Sequence, residues 1–272
     1  MNKLLKRSIT GTLFVALIIC SILWNRYIFI FVFLIINILC LEEFYKLVKS
    51  KDILPQKHLG IFIGAILFLS FAFASINLIP IKFLLLNLVL CSLVFIIELY
   101  SKSKNPFLNI AYTFLGIIYI VFPFALMNFF FNPGFIYNYS TYIFLLGFFV
   151  IIWVNDTFAY IFGNLFGKHK LFSRISPGKT WEGTFGGGIF AIVAAYLISY
   201  FYSEIFWYNW IVIALIIVIF GTFGDLIESL LKRSLNKKDS GRILPGHGGL
   251  LDRFDSVFGS APPVFIYIIL IS

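Results

Sequence analysis

Residues Ser229 to Asp255 read SLLKRSLNKKDSGRILPGHGGLLDRFD, and the meaning of this stretch decides what kind of chain this is. Nine of its 27 residues are charged: Lys232, Arg233, Lys237, Lys238, Asp239, Arg242, Asp252, Arg253 and Asp255. Charged residues make up only 12% of the whole chain. The stretch also carries Gly241, Gly246, Gly248, Gly249 and His247, and apolar runs enclose it on both sides. Outside it the chain is greasy, 61% hydrophobic over 272 residues with a mean hydropathy of +0.98. Soluble domains are about half apolar, whereas repeated apolar runs of about 18 residues or more read as membrane-spanning helices. The expected fold class is therefore all-α and polytopic, with this stretch a cationic island at the membrane surface.

Nine spans are expected, at roughly 8–24, 27–44, 59–79, 82–99, 107–131, 141–164, 183–202, 208–230 and 256–271. With that count, 19 of the 21 lysines and arginines fall on the side of the N-terminus, and only Arg26 and Lys82 fall opposite. Positive charge stays in the cytoplasm, so the N-terminus is expected there and the C-terminus outside. The net charge of +9 sits in short inter-helix loops, which suits membrane topology and argues against a nucleic-acid partner. Cys20, Cys40 and Cys91 lie inside apolar runs without metal or disulfide spacing and read as packing residues. The first apolar run follows MNKLLKR, but no convincing small-residue cleavage site follows it, so it reads as a span and not as a removed signal. Residues 1–131 read as an N-terminal helical region and 132–272 as the region carrying chemistry, with cytoplasmic loops at 165–182 and 231–255.

Spans one to five carry few functional signals. Glu42, Glu43 and Glu98 close spans and read as solvated helix ends, and His58 and His169 read as loop residues. From span six the character changes. Asp156 lies inside an apolar helix, where a carboxylate needs a partner or a water-filled cavity. Tyr160, four residues on, shares its face. In the following loop Ser176-Pro177-Gly178 reads as a turn. Lys179 and Thr180 then stand at a helix start, where backbone N–H groups favour anions. Gly178-Lys179-Thr180 resembles the end of a P-loop, but Ser173 occupies the position where its first glycine belongs, so that reading is rejected. Gly183, Gly186, Gly187 and Gly188 read as close helix packing, with a subunit contact as the other use. On span eight Asp225 lies deep, and Glu228 precedes Lys232 by four, a favourable pair.

The island's residue types define a chemistry. Asp225, Asp252 and Asp255 are hard oxygen donors suited to Mg²⁺ with substrate phosphates. Lys232, Arg233, Lys238, Arg242 and Arg253 can neutralise phosphate charge. Gly246-His247-Gly248-Gly249 lets backbone amides approach an anion, with His247 structural or a hydrogen-bond donor more readily than a base. Metal, cations and an amide cradle suit phosphoryl or nucleotidyl transfer.

Ser229-x-x-Lys232-Arg233, Lys238-Asp239-x-Gly241 and Leu244-Pro245-x-His247-Gly248-Gly249-x-x-Asp252-Arg253-x-Asp255 together resemble the signature of phosphatidate cytidylyltransferases. Asp156-x-x-Ala159-Tyr160, Gly167 to Leu171 and Ser176 to Gly183 are similar to that family too, although Gly178 stands where the family usually has a second lysine. The resemblance covers about Asp156 to Asp255. It implies a multi-spanning, dimeric inner-membrane enzyme that joins CTP to phosphatidate with Mg²⁺, with a monovalent cation such as K⁺ beside it, at the cytoplasmic face. It implies a catalytic set of Asp225, Lys232, Arg233, Lys238, Asp239, His247, Asp252, Arg253 and Asp255. Substrate binding falls to Asp156, Ser176, Lys179, Thr180, Glu182, Arg242, Gly246, Gly248 and Gly249, and metal binding to Asp225, Asp252 and Asp255. A CTP-dependent polyprenol kinase and a membrane transporter are the competing readings.

Overall fold

The structure is a computed structural model and describes residues 3–131, 142–202, 204–241, 243 and 248–271. Its helices are α1 (Lys3–Trp24), α2 (Arg26–Val48), α3 (Lys57–Ser75), α4 (Leu86–Leu99), α5 (Pro106–Gly116), α6 (Phe122–Phe130), α7 (Tyr142–Phe166), α8 (Trp181–Phe201), α9 (Trp207–Ser234) and α10 (Asp255–Leu270). A 3-10 turn, Ile81–Leu85, leads into α4. A π turn, Ile117–Val121, joins α5 to α6 just before Pro123, whose missing N–H would break a regular ladder. Among the described residues seven helical stretches are long and apolar enough to cross a membrane, and Ile9–Trp24 and α10 are shorter apolar helices. The all-α, multi-pass expectation stands at that level.

One strand pair departs from it. β1 (Lys170–Phe172) and β2 (Ser176–Thr180) form an antiparallel hairpin in the loop before α8. Ser176-Pro177-Gly178 is thus strand and not turn, and the chain reverses at Ser173–Ile175. The paired residues Lys170↔Thr180 and Phe172↔Ser176 are two apart on β1 and four apart on β2. Pro177 and Gly178 occupy that irregularity, where a missing N–H and a missing Cβ do least harm.

The chain forms two compact units, Met1–Asn132 with Asp239–Arg253, and Pro133–Lys238 with Phe254–Ser272. In the first, Tyr45 is buried where Gly60 and Gly116 leave room for its ring, and its hydroxyl donates to Thr113 O at 2.9 Å. Phe33 meets Phe124 edge-on at 5.8 Å. Glu98 is not a solvated helix end. It is 4% exposed and accepts from Gln56 Nε2, Ser101 Oγ, Ser103 Oγ and Asn109 Nδ2. A buried carboxylate persists only when donors replace its water, and these four tie the starts of α3 and α5 to the end of α4.

In the second unit Gly183 and Gly187 of α8 face the backbone of α7, and Gly186 faces Phe162. Gly188 faces Val218 of α9. All four glycines are used in packing within the chain, which removes them as a subunit contact. α10 holds Pro262 and Pro263 without ending, and its 16 residues span about 24 Å at ~1.5 Å each. That is short of a hydrocarbon core of about 30 Å.

Candidate functional site

The second unit brings four charged side chains together. α9 carries Asp225, and β2 carries Lys179, whose Nζ lies 2.7 Å from Asp225 Oδ2. The same Nζ donates to Thr222 O at 3.5 Å, and Ser229 Oγ donates to Asp225 Oδ1 at 3.3 Å. Asp255 opens α10 and accepts from Ser256 N at 2.7 Å. It interacts electrostatically with Asp225, Asp156 and Lys179. Glycine makes this possible. A Cβ at Gly224 would strike Asp255 O, and one at Gly259 would strike Phe220 O, so α9 and α10 meet backbone to backbone. Asp225 follows Gly224 directly, which puts the start of α10 beside it. Gly221, Gly224 and Gly259 are positioning residues that sequence reasoning passed over. Their signal is the small-residue spacing Gly221-x-x-Gly224.

The hairpin that presents Lys179 is pinned at both ends. Thr180 is buried and caps α8, its Oγ1 accepting from Gly183 N at 3.2 Å. Glu182 accepts from His169 N and meets His169 Nδ1 at 2.6 Å. His169 lies in the loop before β1, as expected, and is paired there with Glu182. Arg233 Nε donates to Ile175 O at the hairpin turn at 3.4 Å. Lys232 Nζ lies 3.2 Å from Oε2 of the fully buried Glu228, the pair that the spacing of four announced. Ser176 is half-buried on β2, and Lys238 is exposed at the end of this unit.

In the first unit Asp252 organises the rest of the island. It lies in a 3-10 turn, Leu251–Arg253. Its Oδ2 accepts from Gly249 N at 2.9 Å, Ser240 Oγ at 2.9 Å and Ser240 N at 3.3 Å. Gly248 has φ +86°, a conformation that side-chain-bearing residues rarely adopt, and Asp252 Oδ2 is 3.1 Å from where its Cβ would be. Asp239 and Arg253 are exposed. Arg242, Gly246 and His247 lie outside the described residues.

Glu43 is the residue that sequence reasoning misplaced. It is not a solvated helix end: it is 3% exposed, and its Oε2 accepts from Leu251 N at 2.8 Å. A Cβ at Gly241 or Gly249 would collide with its carboxylate. A signal was present, since Ile36, Cys40, Glu43 and Leu47 share one helical face and all are buried. Neighbouring Glu42 faces elsewhere and pairs with Lys46 and Lys57.

The acidic group of the second unit has the donor chemistry for Mg²⁺, and Lys179 already holds positive charge against Asp225. Among the described residues no three acidic, histidine or cysteine side chains close tightly enough to enclose an ion by themselves. That fits a cation held by one or two carboxylates and completed by substrate phosphates. Within this unit Asp225 and Asp255 could hold it; Asp252, the third expected ligand, lies in the first unit.

A membrane-embedded helical chain with an acidic centre, a lysine hairpin and a glycine-rich loop is the class of protein defined so far. The chain belongs to the cytidylyltransferase family, whose model matches residues 5–271. It is 41% identical over 175 residues to a phosphatidate cytidylyltransferase of Staphylococcus epidermidis, covering 62% of this chain and 63% of that relative. Phosphatidate cytidylyltransferases of Staphylococcus haemolyticus and Staphylococcus aureus are similar at 40% identity, with the same coverage. The chain thus aligns with somewhat less than two thirds of the length of these relatives.

Proposed function

We propose that this protein is a phosphatidate cytidylyltransferase, converting CTP and phosphatidate to CDP-diacylglycerol and pyrophosphate in phospholipid biosynthesis. The observation that carries this reading is the gathering of Asp225, Asp156 and Lys179 about Asp255, with Lys179 paired to Asp225, in a chain of this family. The relatives' names supply the substrates.

The phosphatidate phosphate is already an anion, so attack on the α-phosphorus of CTP needs no strong base. The residues have to align two polyanions and offset their charge. Lys179, held between Asp225 and Thr222 O, is a fixed cation for a phosphate oxygen. Arg233 and Lys238 are exposed cations at the end of the same unit and suit the leaving pyrophosphate. In the first unit, Gly248 and Gly249 hold backbone close to Asp252 and shape the loop for a phosphate. Bound Mg²⁺ would neutralise the triphosphate and polarise its α-phosphorus, and a monovalent cation such as K⁺ would offset remaining acidic charge. Nine spans, a cytoplasmic N-terminus, an active site at the cytoplasmic face of a bacterial inner membrane and a homodimer complete the reading. The nineteen-to-two split of cationic residues supports the topology.

Purified protein in detergent, given phosphatidate, Mg²⁺ and CTP labelled at the α-phosphorus, is expected to pass label into lipid and release pyrophosphate. Chelation of Mg²⁺ should abolish both. Label retained in CDP, with the γ-phosphoryl group on a lipid alcohol, would instead establish a lipid kinase.

A further inference from the structure

The first unit contains a cavity of about 570 Å³ that the proposed reaction does not use. It lies where α2 ends, α3 begins and α4 ends, so three membrane-length helices reach it at one level. Its lining includes Lys46, Lys49 and Lys57 together with Tyr45, Leu54 and Ile97. Lys46 and Lys57 are held 2.9 Å from the same Glu42 oxygen, so their ammonium groups are fixed side by side. Lys49 is exposed. The lining itself carries these three cations and no acid; Glu42 and the buried Glu98, which accepts from Gln56, stand behind it, so the rim is positive. The wall is different: Leu54 is 48% and Ile97 46% exposed.

A positive rim over an apolar wall, at the ends of membrane-spanning helices, matches one ligand chemistry. A free anion would use the lysines and leave Leu54 and Ile97 in water. A zwitterionic lipid would cover the wall and bring a second cation to the lysines. An anionic phospholipid satisfies both, with its phosphate at the lysines and its upper acyl carbons on the wall. The volume exceeds what a phosphate alone needs. We propose that this cavity is a binding site for an anionic phospholipid headgroup, separate from the acidic centre of the second unit.

The test uses the full-length protein in a neutral detergent and titrates dioctanoyl phosphatidylglycerol by calorimetry. Dioctanoyl phosphatidylcholine and sodium phosphate are the two comparison ligands. Each lysine near a headgroup contributes roughly a fivefold change in affinity. Lys46→Gln with Lys49→Gln is expected to weaken phosphatidylglycerol binding about 25-fold, with the melting temperature unchanged. Lys51→Gln removes a charge from the same loop outside the cavity lining and should leave binding unchanged. Equal binding of phosphatidylcholine, an equal loss in Lys51→Gln, or full binding by the double variant would each overturn the site. Competition by phosphate alone at the lipid's own concentration would overturn its assignment to a lipid.

Discussion

Asp225 in the second unit and Asp252 in the first belong to neighbouring parts of one polar sequence, yet different chemistry holds them. Asp225 faces a lysine at 2.7 Å and interacts electrostatically with Asp255. Asp252 accepts three hydrogen bonds from Ser240 and Gly249 on a single oxygen. Near it lies Glu43, a buried carboxylate with a backbone donor. The first arrangement is made of charges that a polyanion or cation can rearrange. The second is made of neutral donors that fix a loop. Two aspartates 27 positions apart are thus held by different means, and their variants should fail in different ways.

The sharpest break is Asp225→Asn. It should lower CDP-diacylglycerol formation by about a thousandfold while leaving the melting temperature in detergent close to wild type. A melting point lowered by many degrees would make Asp225 architectural and erase the contrast. Lys179→Met should cost about a hundredfold, and Lys179→Arg should recover part of it, because a cation returns without the compact ammonium geometry. Asp252→Asn should lower turnover by orders of magnitude, as expected of a residue in the signature. Asp252→Ala should also destabilise the protein by about 1–3 kcal/mol, because the Ser240 and Gly249 N–H groups would lose the oxygen that Asn can still offer them. Loss of turnover at full stability would place Asp252 with Asp225. Glu43→Gln keeps an acceptor for Leu251 N and should lower stability by about 1–2 kcal/mol, read as a shift in thermal unfolding. Glu43→Ala should cost more than Glu43→Gln. The smallest effect is Thr180→Ala, about 1 kcal/mol from the lost α8 cap.

Much of this was legible from residues alone. Apolar run lengths located the helices, and the lysine and arginine distribution suggested how they thread. The depth of Asp225 and the spacing of Glu228 and Lys232 marked α9 as more than a lipid-facing helix. Other features were hidden for physical reasons. Glu98 looks like any acidic helix end until Gln56, Ser103 and Asn109 converge on it. Ser176-Pro177-Gly178 carries turn chemistry, but a two-stranded hairpin tolerates a proline at an irregular pairing, so tertiary context prevailed. The glycines of α9 and α10 matter through a backbone contact that no side chain announces. The helical face of Glu43 could be read, but its partner could not, because Leu251 lies 208 residues away.

That separation also has a meaning in time. Glu43 belongs to α2, and Leu251 to the stretch just before α10. At about 5–20 residues per second of synthesis, roughly 10–40 s pass between them. Through that interval the first unit exists without the segment that meets its buried carboxylate. A chain halted before Asp239 would therefore present an unfinished helical bundle with an acid at its open end, which makes the closing of this loop the late step in the protein's assembly.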